Sequence, residues 1–537
     1  MRSVHCIVPF CVVLAANLSA PNLSAQRVLW SREGVQLDSS FGRKLTDAGD
    51  VNGDGIDDLL VTAPGDPSQN SYVAGQVFLL SGRDGALLRA YSIPAQNSSF
   101  GASATGIADI DNDGVRDIAI GASGLGQVWF YSGRNGALIR NTGSVALGHG
   151  HEICDAGDLD GDGRGDVVTT TRGSNSGVSG YGLGVLSGRT GAALIDRVGT
   201  LPDVTTTQLL PLADLDGDGH DEILVGSTHY VGVLSLAPTP TLRAIPAPAV
   251  ATNAFGSGAL GFADLDGDGT PELLVGDSDA TVNRIQGAVF VIDARTGVTT
   301  QHLSIAFDQN PYAARALVGM GDLDTDGRED FAMVSSLANS NDTFELAFGR
   351  DLRHAPYWSP SPPYLLVATP PRALTQLGDV DGDGFADLAV GTQYANGRRG
   401  QVIVISGRIL AQVQGVGTGC GGGPFLPQLG MTRPVLGQIA QVTGRDLPAG
   451  APGLLAFSLK PHTTMNLGVV GCDIAFDFGN WITLALLPPS PSLSMPLPIP
   501  AIPQLAGIDI ALQTIHFDTG GALGVDLSNG VWARIGY

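Results

Sequence analysis

Seven times in this chain a nine-residue acidic stretch runs directly into an apolar one. "DVNGDGIDD" begins at 50, "DIDNDGVRD" at 109, "DLDGDGRGD" at 158, "DLDGDGHDE" at 214, "DLDGDGTPE" at 264, "DLDTDGRED" at 322 and "DVDGDGFAD" at 379. Successive copies lie 59, 49, 56, 50, 58 and 57 residues apart, the period of a supersecondary repeat and not of a heptad. Each copy is followed by a strand signal such as "LLVTA" or "IAIGA", then by a second, such as "GQVFLLSG" or "GQVIVISG". A hairpin turn such as "SGRDG" leads to a third strand. With the segment that precedes each acidic loop, every repeat supplies about four short strands, and seven such sheets arranged radially form a β-propeller. Ring closure needs the last sheet completed from both chain ends, so "RVLWSREG" at 27–34 is expected to pair into the seventh repeat.

The loops carry their own chemistry. Oxygen ligands at alternate positions of a tight turn suit a hard cation, and calcium accepts six to eight oxygens at roughly 2.3–2.6 Å. Positions 1, 3, 5 and 9 supply side chains and glycine at position 6 permits the turn. The candidate ligands are Asp50, Asn52, Asp54 and Asp58 in the first loop, Asp109, Asp111, Asp113 and Asp117 in the second, and Asp158, Asp160, Asp162 and Asp166 in the third. Asp214, Asp216, Asp218 and Glu222 follow in the fourth and Asp264, Asp266, Asp268 and Glu272 in the fifth. Asp322, Asp324, Asp326 and Asp330 form the sixth set, and Asp379, Asp381, Asp383 and Asp387 the seventh. An EF-hand would close with Glu at position 12; here that position is Val61, Ile120, Thr169, Val225, Val275, Met333 or Val390, already inside the next strand. The expectation is up to seven calcium ions in β-hairpin loops. Solvated acidic turns are the plainer alternative, but they do not account for the recurring spacing.

Charge points the same way. The loops hold 27 ligand-position carboxylates of the chain's 52 acids, and seven calcium ions would move the formal charge from -23 to -9. Unneutralised, such clusters repel and oppose the compact state. The acidic balance leaves no basic stripe for phosphates, which argues against nucleic acid.

These motifs resemble the FG-GAP repeats of integrin α-chain propellers and their bacterial relatives. Phe41-Gly42, Phe100-Gly101 and Phe255-Gly256 stand where the FG belongs, and "TAPG" at 62–65 matches GAP. The third repeat departs, with "GHGHE" around 148–152, and GAP decays to "TTT" at 169–171 and "VSS" at 334–336. The resemblance implies adhesion or ligand binding as a class.

Other features are weighed against it. The first 25 residues read as a secretory signal, with Arg2, an apolar run from Cys6 to Ala16 and small residues ending at Ala20 or Ala25. No later segment offers eighteen uninterrupted apolar residues for a membrane span. The product is expected to be secreted or held at the cell surface. Cys420 and Cys472 are the plausible disulfide pair, and Cys154, in a strand-like run, reads as a buried free thiol. Arg83, Arg134, Arg189, Arg295, Arg350 and Arg408 recur at one place in the hairpin turns; pairing with a nearby carboxylate is the expected role, an anionic ligand the alternative. "RGD" at 164–166 invites a recognition reading, but Asp166 closes the third loop. His149 and His151 lack a third metal ligand and read as structural. No nucleophile elbow, zinc-protease helix or phosphate loop is present, so an enzyme is not expected.

From about Gly415 the acidic repeat stops. "GVGTGCGGGPF" intervenes, and "QIAQVTGRD", "GLLAFSLK", "WITLALLP", "GIDIALQTIHF" and "GVWARIGY" then alternate with Pro- and Gly-rich turns. This pattern suits a small β-sandwich, similar to accessory modules that end secreted bacterial proteins; "PPSPSLSMPLPIPAIP" should form extended loop or edge structure. The expected organisation is all-β: a signal peptide at 1–25, a seven-bladed β-propeller at 26–415, a Gly-rich linker at 416–424 and a C-terminal β-sandwich at 425–537. The leading functional expectation is a module that binds an extracellular glycan, matrix component or protein through variable loops such as 66–74, 173–181 and 277–286. A structural envelope component and a polysaccharide lyase or hydrolase are the alternatives.

Overall fold

The computed structural model describes residues 27–536 outside the larger intervals 66–73, 144–148, 173–180, 202–207, 305–311, 324–326, 337–341, 349–352, 358–372, 394–398, 409–411, 417–426, 460–464, 467–472, 476–480 and 518–525, with a few shorter gaps. The described residues are all-β and contain no α-helix. Both Cys420 and Cys472, and the signal-like segment at 1–25, lie outside them.

Seven four-stranded antiparallel sheets account for the repeats. The first runs Leu45–Gly49, Asp58–Ala63, Gln76–Leu80 and Leu87–Ser92 in chain order. Sheets at 100–141, 153–201, 208–245, 260–304 and 312–357 repeat that order. The seventh takes Ala373–Leu377, Asp387–Thr392 and Gln401–Ile405 from one end of the repeat region and its fourth strand, Val28–Glu33, from the other. Trp30 lies opposite Val404 and Arg32 opposite Val402, the pairing that the sequence of 27–34 led one to expect.

The apolar runs after the acidic loops are continuous because both faces of the second strand are covered. Asp58–Ala63, Asp117–Ala122 and Asp387–Thr392 are buried at every position, whereas the outer strand Leu87–Ser92 is half exposed. Side chains alternate across a strand, and here alternate residues serve different neighbours. Leu59 and Val61 pack with Val402 and Val404 of the seventh sheet, while Leu60 packs with Ile118 and Ile120 of the second. Ala119 in turn packs with Val167 of the third. The same sharing joins sheets three to four, four to five, five to six and six to seven. First strands of consecutive sheets also touch, and that of the seventh touches that of the first.

In the first, second and fifth repeats the FG element seats the start of the sheet. Phe41, Phe100 and Phe255 are buried, and the glycine after each has positive φ. A Cβ on Gly101 would stand 2.7 Å from the Gln76 carbonyl oxygen, so no side chain fits. In the third repeat His149-Gly150 takes this place: His149 is buried, Gly150 has φ 78°, and a Cβ there would stand 2.5 Å from Gln127 O. The apparent departure of that repeat replaces the ring and keeps the backbone.

Two expectations need correction. Residues 277–286 are less a loop than the prolongation of a hairpin, since Thr281 pairs with Gln286 and Val282 with Ile285 beyond a bulge. The boundary at 415 cuts through a strand: Gln412–Val416 pairs with Gly530–Arg534 at the edge of a six-stranded C-terminal sheet. The Gly-rich composition begins only beyond this strand, and pairing with a strand more than a hundred residues away leaves no local signal. That sheet and a three-stranded one, Gln428–Met431, Ile439–Arg445 and Ser492–Pro498, share one core containing Val442, Leu455, Leu512 and Val531. The Pro-rich run supplies the edge strand Ser492–Pro498, where missing N–H donors are tolerated.

Trp30 is buried, and its Nε1 donates to the Gly82 carbonyl of the first sheet at 2.7 Å. Replacing Trp30 by Ala is expected to cost about 3–5 kcal/mol, read as a shift in the denaturant midpoint. A loss under about 1 kcal/mol, within the range of surface substitutions, would mean that Val28–Glu33 does not complete the seventh sheet in solution.

Candidate metal centres

The seven acidic loops share one backbone scaffold. In each, the N–H of the position-6 glycine donates to Oδ2 of the position-1 aspartate, from Gly55 to Asp50 at 2.8 Å through Gly384 to Asp379 at 2.8 Å. Those glycines all have φ between 81° and 94°, a conformation that a Cβ disfavours. The closing acid at position 9 sits at or just before the start of the second strand and is buried in every repeat: Asp58, Asp117, Asp166, Glu222, Glu272, Asp330 and Asp387. One of its oxygens accepts the position-2 N–H, for example Ile110 to Asp117 at 2.8 Å and Val380 to Asp387 at 2.7 Å. In four repeats the other accepts a glycine N–H from the following hairpin: Gly82, Gly133, Gly188 or Gly407.

Side chains converge above this scaffold. Ligand atoms of Asp109, Asp111 and Asp117 lie within 4.8 Å of one another, as do those of Asp158, Asp160 and Asp166, of Asp264, Asp266 and Glu272, and of Asp379, Asp381 and Asp387. In the fourth loop the convergent set is Asp214, Asp216 and Asp218, with Glu222 bonded to the Leu215 N–H at 2.5 Å. In the first loop Asn52 stands at position 3, and its Nδ2 donates to Asp58 Oδ1 at 3.0 Å. Asp324 and Asp326 of the sixth loop lie outside the described residues. At position 5, Asp218 belongs to the convergent set of its loop. Asp113 and Asp383 each accept a hydrogen bond from a hairpin serine, Ser132 at 3.3 Å and Ser406 at 3.2 Å.

The electrostatics separate position 1 from position 9. Burial opposes ionisation of Asp109, but the N–H groups of Gly114, Asn112, Asp113 and Asp111 outweigh it and hold the carboxyl below the usual range. For Asp214 the Gly219 N–H leads the same lowering. The closing acids go the other way. Burial pushes Asp58, Asp117 and Asp166 up to about 6 and Glu272 and Asp387 up to about 7, against partial opposition from their N–H donors. Two buried loop oxygens, Asp162 Oδ1 and Asp381 Oδ1, have no hydrogen-bond partner. Buried carboxylates, convergent oxygens and unpaired acceptors are the donor set of an oxygen-binding divalent cation, and the residues fit one.

Of the hairpin arginines, Arg350 lies outside the described residues, and four others have structural partners. Arg83 stands 3.4 Å from Asp54 and Arg189 3.7 Å from Asp162. Arg134 donates to the Asp113 carbonyl at 2.7 Å, and Arg295 crosses to Leu215 O in the preceding sheet's loop. In the "RGD" segment Asp166 is fully buried and bonded to Leu159 and Gly188 N–H, so it presents nothing to a partner. Cys154 is a buried free thiol whose burial raises its pKa, and burial lowers that of His149. A partly buried ion pair between Lys44 and Glu152, 108 residues apart, had no sequence signal; Arg27 beside Asp381 at 3.3 Å had none either.

The FG-GAP-like repeat family matches residues 109–169 and 214–275, each running from one acidic loop through the next, and the FG-GAP repeat family matches 46–80 and 374–405, each spanning one acidic loop and its flanking strands. The chain carries FG-GAP repeats. The chain is 35% identical over 148 residues to integrin alpha-3 of Cricetulus griseus, covering 26% of this chain and 13% of that one. It is 30% identical over 159 residues to integrin alpha-4 of Xenopus laevis (26% and 15%) and 37% identical over 107 residues to integrin alpha-IIb of Homo sapiens (18% and 10%). The matches thus span a small part of those relatives' length. Among the described residues no helix is long and apolar enough to cross a membrane.

The raised closing acids fix a pH dependence. With a folded pKa of about 6–7 against about 4 in the unfolded chain, the metal-free fold binds more protons than the unfolded state between those values. Their stabilising contribution is complete below pH about 4 and is lost as pH rises through about 6–7. The melting temperature in chelator should therefore fall from about pH 5 to about pH 8; a rise across that window would contradict the burial of these groups.

Proposed function

We propose that this protein is an exported, calcium-stabilised seven-bladed β-propeller with a small C-terminal β-sandwich, and that it binds an extracellular glycan, matrix component or protein. The single observation carrying the reading is the recurrence of one scaffold in all seven acidic loops, each with a buried closing acid. The shared apolar clusters between consecutive sheets, including first and seventh, support closure into a ring. Calcium would be held by the position 1, 3, 5 and 9 side chains, from Asp50, Asn52, Asp54 and Asp58 to Asp379, Asp381, Asp383 and Asp387. Bound there, the cation supplies the positive charge that burial of the closing acids lacks.

The chain's own residues do the rest. The position-6 glycines orient the first aspartate, and the hairpin glycines fix the closing acid to the next strand pair. With its acids engaged in this way, the molecule is read as a binding module and not a catalyst. Connections between strands, carried on a rigid scaffold, are the natural recognition elements. Likeness to integrin α-chains favours a protein or matrix ligand at a cell exterior.

Two measurements test the reading. Calorimetric titration of metal-depleted full-length mature chain should give at least five calcium sites, corresponding to the five convergent clusters; far fewer would remove calcium from the account. A glycan and matrix-protein array, probed in millimolar calcium and in chelator, should show calcium-dependent capture. Silence on a folded, calcium-loaded sample would overturn the binding role and favour a structural one.

A further inference from the structure

The first loop alone has an amide among its ligand-position side chains, and glycine follows it. We propose that Asn52 is a deamidation site, whose aspartyl product gives this loop the four carboxylates of the others and whose iso-aspartyl product lengthens the backbone and dismantles it. In this reaction the Gly53 amide nitrogen attacks Asn52 Cγ. The N–Cγ bond forms, the Cγ–Nδ2 bond breaks, and ammonia leaves with the proton given up by Gly53. Water then opens the cyclic imide at either carbonyl, and nothing is oxidised or reduced.

The reaction requires a following residue without a side chain, access to water and a base for the amide proton. Asn52 and Gly53 are both exposed, and no heavy atom lies within 4 Å of where a Gly53 Cβ would sit. The Gly53 N–H donates to the Asp50 carboxylate at 2.7 Å, and the departing Nδ2 is held by Asp58 at 3.0 Å. Attacking and leaving groups therefore already contact carboxylates. A second Asn-Gly, Asn135-Gly136, with Asn135 exposed and Gly136 half-buried, provides the contrast. There the glycine N–H donates to the Ser132 carbonyl, which is no base, and Arg89 Cδ would stand 2.6 Å from a Gly136 Cβ. The Asn135 side-chain oxygen is also held by the Ala137 N–H at 2.7 Å.

The test incubates full-length mature protein near neutral pH in chelator and in millimolar calcium, and follows both positions by peptide mass mapping. The amide-to-acid mass gain should appear at Asn52 well ahead of Asn135, with aspartyl and iso-aspartyl forms resolved, and Asn52→Gln should abolish it there while leaving Asn135 unchanged. No gain at Asn52, or one that trails Asn135, overturns the proposal. Slowing by calcium is also expected, a result that rests on the proposed occupancy because the ion would engage Asp50 and the Asn52 side-chain oxygen. Equal rates in both buffers leave the modification site standing and count against calcium in the first loop, so the two readings fail separately.

Discussion

Much of this architecture hangs on a carboxylate buried at the start of a strand. The closing acid accepts a loop N–H on one oxygen and, in four repeats, a hairpin N–H on the other, so it ties the acidic loop, the second strand and the third-to-fourth-strand hairpin into one unit. The hairpin glycine cannot be exchanged: a Cβ on Gly133 would stand 1.8 Å from the Arg116 carbonyl oxygen. Such a joint places negative charge where water is scarce, and backbone N–H groups only partly offset the desolvation. The convergent aspartates above it worsen the repulsion unless a cation sits among them. Loop chemistry and fold stability are therefore one problem.

Packing imposes the second constraint. A sheet whose second strand is apolar on both faces cannot be stable alone, because either face left bare would be exposed. Each sheet needs two neighbours, and a linear row would leave its end sheets unsatisfied; Trp30 and its strand, sharing a core with Leu59 and Val61, remove that end. Outer-strand arginines reinforce the seams. Arg32, Arg89 and Arg243 each donate to a carbonyl in the next sheet's hairpin, at Gly85, Arg134 and Ala294. The N-terminal strand thus makes the same kind of seam contact as strands in the middle of the chain.

What the sequence made legible was what repeats locally. Acidic spacing, the apolar strands behind it and the turn glycines lie within a few residues of one another, and Val28–Glu33 could be placed because ring closure demands a partner for it. The His149-Gly150 substitution was obscured because the eye follows the ring, while the position selects the glycine's backbone. Strand Gln412–Val416, the Lys44–Glu152 pair and the arginine seams depend on partners more than forty residues away, which spacing cannot reveal. The serine contacts of Asp113 and Asp383 come from another strand and are equally invisible to local spacing.

The seventh loop shows how these constraints meet. Arg27, at the entrance to the closing strand, lies 3.3 Å from Asp381, and its carbonyl accepts the Ser406 N–H at 2.9 Å. Yet burial, with Asp383 and Asp379 nearby, raises the Asp381 pKa despite that arginine. The guanidinium is largely exposed, so solvent screens it, and Asp381 Oδ1 still lacks a partner. One surface arginine cannot supply the charge that three convergent carboxylates require. Positive charge placed inside the loop would act on both sides of the junction at once, steadying Asp379, Asp381 and Asp387 and, through Arg27 and Ser406, the strand that joins the two ends of the repeat array.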